Sequence, residues 1–99
     1  MPAEPEGLSG QERASYVYLL RCADGSLYCG WTTDPEQRLA AHNSGRGAKY
    51  TRSRGACRLV YTEAFATKGE ALKRECAIKR LTHAEKELLV LRQEEAVHG

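Results

Sequence analysis

The chain begins polar and then turns abruptly to strand patterning. From Ser15 to Cys22 β-branched and aromatic residues dominate, Ala23-Asp24-Gly25-Ser26 supplies turn residues, and Leu27 to Trp31 resumes the same pattern. A glycine able to take positive φ between two such runs predicts a β-hairpin. Asp34 followed by Pro35, with Gln37 at the third position and Gly45 beyond, marks a short helix with its cap, first residue and stop. Gly45 to Gly55 is too irregular for a strand and reads as a loop, and Cys57 to Phe65 reads as a third strand. Thr67-Lys68-Gly69-Glu70 and Thr82-His83-Ala84-Glu85 fit the capping box, in which a hydroxyl and a carboxylate satisfy orphan amides at a helix start. Two helices are therefore expected, from about Lys68 to Leu81 and from His83 to about Glu94, the second carrying Leu88, Leu89 and Leu91 inward.

Ninety-nine residues suit one domain with a modest core. The expected architecture is α/β in the α+β sense, a small three-stranded antiparallel sheet flanked by helices. Met1 to Ala14, acidic and proline-containing, is expected to be a flexible tail, 15–94 the domain, and 95–99 a C-terminal tail. The absence of a long apolar run or an apolar signal core argues for a cytoplasmic protein with no membrane segment. Cys22, Cys29, Cys57 and Cys76 lack the spacing of a zinc ribbon and read as small apolar core residues, with no disulfide expected in a reducing compartment.

Charge changes this picture locally. The net charge is only +2, yet no Asp or Glu lies between Gln37 and Thr62. That stretch carries Arg38, Arg46, Lys49, Arg52, Arg54 and Arg58. With Tyr50 among them, Arg46, Lys49, Arg52 and Arg54 are candidates for contacting nucleic acid, because cations neutralise phosphates and an aromatic ring stacks on an unpaired base. An ordinary solvated loop has the same composition.

Three further groups carry chemistry. On the helix from Lys68, Ala71, Leu72, Cys76 and Ile78 form the expected apolar stripe, and Glu75 falls inside it. A carboxylate on a buried face is costly unless it is paired or binds a cation, so Glu75 is either an ion-pair partner of Lys79, four residues on, or a metal or active-site residue. Arg38 and His42 are also four apart, so they share a helix edge and can grip one phosphate, or simply face solvent. Tyr16 and Tyr18 point to one face of their strand, with Tyr28 on its partner; they can stack on a half-buried sheet. Alternatively, nearby positive charge can stabilise a phenolate and make one a base.

Taken together, Tyr16-Val17-Tyr18, Tyr28-Cys29-Gly30, Arg38, His42 and Glu75 resemble the GIY-YIG nuclease superfamily from Ser15 to roughly Leu91. Gly45-Arg46-Gly47-Ala48-Lys49-Tyr50-Thr51 adds a likeness to its small, single-domain bacterial branch. The resemblance implies a divalent-metal-dependent endonuclease acting on DNA rather than RNA, with a place in DNA repair or recombination. Tyr18 takes the position of a general base or water-orienting phenol and Tyr28 assists. Arg38 stabilises the scissile phosphate, His42 positions a phosphate oxygen or relays a proton, and Glu75 is the single protein ligand of Mg2+ or Mn2+. Tyr16, Val17 and Cys29 depart from the motif letters at core or backbone positions. The late asparagine of many family nucleases is missing, since Asn43 is the only asparagine. A chain this short also lacks the separate DNA-binding domain of larger relatives, which points to a protein partner for substrate selectivity. The other function open to this scaffold is a nucleic-acid-binding module without catalysis.

Overall fold

The computed structural model describes residues 14–46 and 55–98. Ser15–Cys22 (β1), Leu27–Thr32 (β2) and Cys57–Phe65 (β3) form an antiparallel sheet in the order β2-β1-β3, as the patterning predicts. Among the described residues the helices are Pro35–Asn43 (α1), Lys68–Lys79 (α2) and His83–His98 (α3). The last runs on to His98 rather than ending near Glu94. The hairpin turn closes through Gly25 at φ 88°, and Asp24 Oδ1 accepts from the Ser26 amide at 3.0 Å. Asp34 caps α1 by accepting from the Gln37 amide at 3.1 Å. The box at Thr82 is fully reciprocal: its Oγ1 accepts from the Glu85 amide at 3.2 Å while its own amide donates to Glu85 Oε1 at 2.9 Å.

β1 is the central strand, and its alternating side chains feed two cores. Val17 and Leu19 join Leu27, Cys29, Tyr61, Ala71, Ile78 and Val90, so α2 and α3 cover that face. Tyr18, Leu20, Cys22 and Cys57 pack with Tyr28, Leu39 and Leu59 on the other, beneath α1. The register against β3 jumps between Leu19, opposite Tyr61, and Leu20, opposite Leu59. This bulge turns both Val60 and Tyr61 toward α2 and α3 while keeping Leu59 and Cys57 under α1.

Two helix faces differ from the expected ones. Ala71 and Ile78 are fully buried, whereas Leu72 is 38% exposed and Cys76 is exposed. The reason is angular. Residues 71 and 78 differ by only about 20° around the axis, whereas 72 and 76 lie about 100° and 140° from 71, beyond the reach of a small three-stranded sheet. On α3, Val90 is buried and Leu89 partly so, but Leu88 and Leu91 are 48% and 49% exposed. Polar anchors fix that rotation: Arg21 of β1 pairs bidentately with Glu87, and Gln93 binds both the amide and the carbonyl of Thr62 at 3.1 and 2.7 Å.

The same edge of β3 is held at its start by Asn43. Its carboxamide accepts from the Cys57 amide at 2.7 Å and donates to the Cys57 carbonyl at 2.9 Å. Asn43 and Gln93 thereby stand in for a neighbouring strand along an otherwise open edge. Asn43→Ala leaves both backbone groups of buried Cys57 without these bonds and is expected to destabilise the fold by about 1–2 kcal/mol, measured by denaturant unfolding.

Candidate active site

The α1 face of the hairpin gathers four of the five residues singled out from the sequence. Tyr18 is 1% exposed, and its hydroxyl lies 3.1 Å from Nε2 of His42, itself 3% exposed. Tyr28 completes a cluster of rings, with centroids 6.3 Å from Tyr18 and 5.1 Å from His42. Arg38, one turn before His42 on α1, acts electrostatically on both: it draws the Tyr18 phenol toward ionisation and opposes protonation of His42. α1 is thus the element that delivers the cation and the imidazole to the phenol, and Leu39, packed into the core between them, sets its rotation.

Gly30, directly opposite Tyr18 in the β-ladder, determines where the phenol goes. A Cβ on Gly30 would lie 2.5 Å from the Tyr18 hydroxyl and 2.7 Å from Cζ, so the ring occupies the space that any other residue would fill. The requirement is steric; the backbone φ there is ordinary for a strand. A glycine inside a strand signals such a close approach, and this is what the sequence offered for finding it.

Burial outweighs charge in setting the protonation states. Desolvation pushes the Tyr18 phenol up to about 12 despite Arg38, so the expectation of a charge-stabilised phenolate is not met and Tyr18 is a neutral phenol at physiological pH. His42 is shifted downward, first by burial and then by Arg38, and is a neutral imidazole there. Because its folded pKa lies below the ordinary 6.5, the unfolded chain takes up a proton first as pH falls. Stability should therefore decline as pH drops from about 6.5 to the folded pKa, where the loss is complete. Unfolding midpoints across this range should slope for the wild type and flatten for His42→Gln, with an NMR titration of the ring giving the folded pKa directly.

Glu75 stands apart from this cluster. It lies on α2, on the sheet-facing side between Ala71 and Ile78, and its side chain is 16% exposed. Lys79 pairs with it at 3.6 Å, and its charge is felt by the Cys29 thiol, which burial and then Glu75 push up to about 11. Cys29 is on the α2 side of β2 and precedes Gly30, so the carboxylate packs on the α2 side of edge strand β2 and the phenols on its α1 side. Of the basic residues, Arg46 is exposed, with Nε 3.0 Å from Ser44 Oγ. Lys49, Tyr50, Arg52 and Arg54 lie outside the described residues.

A family model described as the GIY-YIG catalytic domain matches residues 14–88, the stretch that carries this hairpin, helix and phenol. This chain belongs to the GIY-YIG family. A UPF0213 protein of Clostridium perfringens is 55% identical over 76 residues, covering 77% of this chain and 82% of that one. One from Halobacterium salinarum is 51% identical over 74 residues, covering 75% and 96%. The solution NMR structure of a UPF0213 protein from Bacillus halodurans is 53% identical, covers 78% of this chain and 82% of its own, and superposes with a TM-score of 0.51. A second NMR structure, from E. faecalis, is 46% identical with a TM-score of 0.56 and covers 88% of both chains. The two solved structures share the overall fold of this chain. No described helix is long and apolar enough to cross a membrane.

Proposed function

We propose that this protein is a divalent-metal-dependent endonuclease that hydrolyses phosphodiester bonds of DNA, in nicked, branched or single-stranded substrates met during repair or recombination. The observation that carries the reading is the buried Tyr18–His42 contact at 3.1 Å beside Arg38. A phenol hydrogen-bonded to a neutral imidazole is a proton relay. As water attacks the phosphorus, its proton passes to Tyr18 Oη while the phenol's own proton passes to His42 Nε2. The high pKa of Tyr18 favours this relay over a standing phenolate base. Arg38 meets the charge that builds on the phosphate oxygens, and Tyr28 packs beside the imidazole with ring centroids 5.1 Å apart.

Glu75 is the residue that would hold the metal. Among the described residues no group of three or more His, Cys, Asp or Glu side chains converges, and this reading gives the ion Glu75 as its protein ligand. That suits Mg2+ or Mn2+, hard ions that keep most of their waters and take further oxygens from substrate. When bound, such an ion neutralises phosphate charge as a Lewis acid. The basic side chains Arg46, Lys49, Arg52 and Arg54, with Tyr50, are the proposed nucleic-acid contacts, and a protein partner supplies further selectivity.

Purified protein should cut at least one of a panel of labelled duplex, single-stranded, flapped and four-way DNAs, with RNA cut less. Adding a chelator should abolish cutting and restoring Mg2+ or Mn2+ should recover it. Silence across the panel with either metal would count against the enzyme. One observation favours a second reading, a binding module without catalysis: Lys79 already neutralises Glu75. Such a module would bind nucleic acid with steep salt dependence, and Arg52→Ala/Arg54→Ala would make the slope shallower, without any cleavage.

A further inference from the structure

The far end of the α1 face carries a pair of thiols that the proposed chemistry does not use. Cys22 and Cys57 are register partners at the end of β1 and the start of β3, with their sulfurs 3.5 Å apart. The amide and carbonyl of Cys57 turn outward to Asn43, so the pair is of the non-hydrogen-bonded type. Such pairs bring Cα atoms to about 4.5 Å, within the span of about 4.4–6.8 Å that a disulfide bridges. The two residues line an open recess of about 410 Å³ together with Arg21, Ala23, Gly25 and Arg58. Arg21 is committed to Glu87, Arg58 is exposed and offers positive charge to an anion, and Asp24 in the hairpin turn sets an opposing charge near the Cys57 thiol. Cys29, by contrast, is buried on the opposite face, and Cys76 is exposed on α2.

We propose that Cys22 and Cys57 are a site of reversible oxidation, joined into a cross-strand disulfide by a small anionic disulfide that enters through this recess. The Cys57 thiolate attacks one sulfur of the co-reactant, releasing one thiol and leaving a mixed disulfide. The Cys22 thiolate then attacks the Cys57 sulfur and releases the second thiol. Two protein thiols are oxidised to one disulfide while the co-reactant is reduced to two thiols, with both protons passing to the leaving groups. Burial and the neighbouring Cys22 raise the Cys57 thiol to about 11, so the first step is slow at neutral pH and should quicken about tenfold per pH unit until the thiol ionises. The bridge would fasten β1 to β3 at the point where Asn43 anchors the end of α1, one residue after His42. The inference stands apart from the nuclease reading.

The test equilibrates the full native chain with mixtures of reduced and oxidised glutathione, at neutral and at raised pH so that slow attack is not mistaken for absence. Thiols are then trapped and peptides mapped by mass. The expected product links the Cys22 and Cys57 peptides, leaves buried Cys29 alkylated, confines any glutathione adduct to exposed Cys76, and shows a raised thermal midpoint that reductant reverses. Cys57→Ser should abolish the link. Cys22 and Cys57 both remaining reduced at the most oxidising ratio and raised pH, or glutathione adducts on either of them that persist without closing the bridge, would overturn the assignment.

Discussion

Exchange of Glu75 for alanine is expected to slow DNA cleavage by about 10²–10³-fold while changing fold stability by only a few tenths of a kcal/mol. The two quantities separate its two roles. As a structural partner, Glu75 offers Lys79 a contact at 3.6 Å, and Lys79, with its side chain 54% exposed, is readily solvated once that contact is gone. As a metal ligand, the carboxylate contributes to the transition state, and its loss should also raise the Mg2+ concentration needed for half-maximal rate. Glu75→Gln keeps the volume and removes the charge, so it should follow the alanine variant in rate. Arg38→Ala should show a rate loss of similar size, about 10²-fold or more, with little change in metal requirement. Cleavage by Glu75→Ala at the wild-type rate would sink the catalytic assignment and leave the ion pair as the account of this residue.

Gly30→Ala should be strongly damaging for a change of one methyl group. The added carbon would meet Tyr18 at 2.5 Å from the hydroxyl and 3.1 Å from Cε1, and Tyr18 is 1% exposed, so the ring has no solvent to swing into. Either β2 moves away from β1 or the phenol leaves His42. The expected cost is about 1–3 kcal/mol of stability, as for other overpacked cores, and a cleavage rate lowered about 10²-fold by misplacement of the hydroxyl. Tyr18→Phe in the Gly30→Ala background tests the cause. Removing the hydroxyl relieves the shortest contact, so the double variant should be less destabilised than the sum of the two single changes, whereas additive losses would mean that the methyl acts elsewhere.

Turn and helix-start positions were legible in the chain because their signals are local. Gly25 at the turn, Asp34 and Pro35 at one helix start, Thr67 and Thr82 at two others each satisfy backbone groups within a few residues, and the structure uses them as such. The pairing of Arg38 with His42 was equally readable, since four residues on a helix bring side chains together wherever the helix packs. Which side of α2 and α3 turns inward was less so. Leu72, Leu88 and Leu91 are as apolar as Leu89 and Val90, and their exposure follows from where Arg21 holds Glu87 and Thr62 holds Gln93, contacts across 66 and 31 residues.

By itself, the sequence determined the secondary elements and the antiparallel hairpin, because capping, turn chemistry and residue spacing act over one or two turns of chain, and its motifs carried the likeness to the family. Only the tertiary structure decided that Gly30 makes room for the Tyr18 ring, that burial rather than Arg38 sets the phenol's protonation, and that Glu75 lies across edge strand β2 from His42. Each of these depends on desolvation or close contact between strands and helices distant in sequence, and neither quantity exists until the sheet is packed.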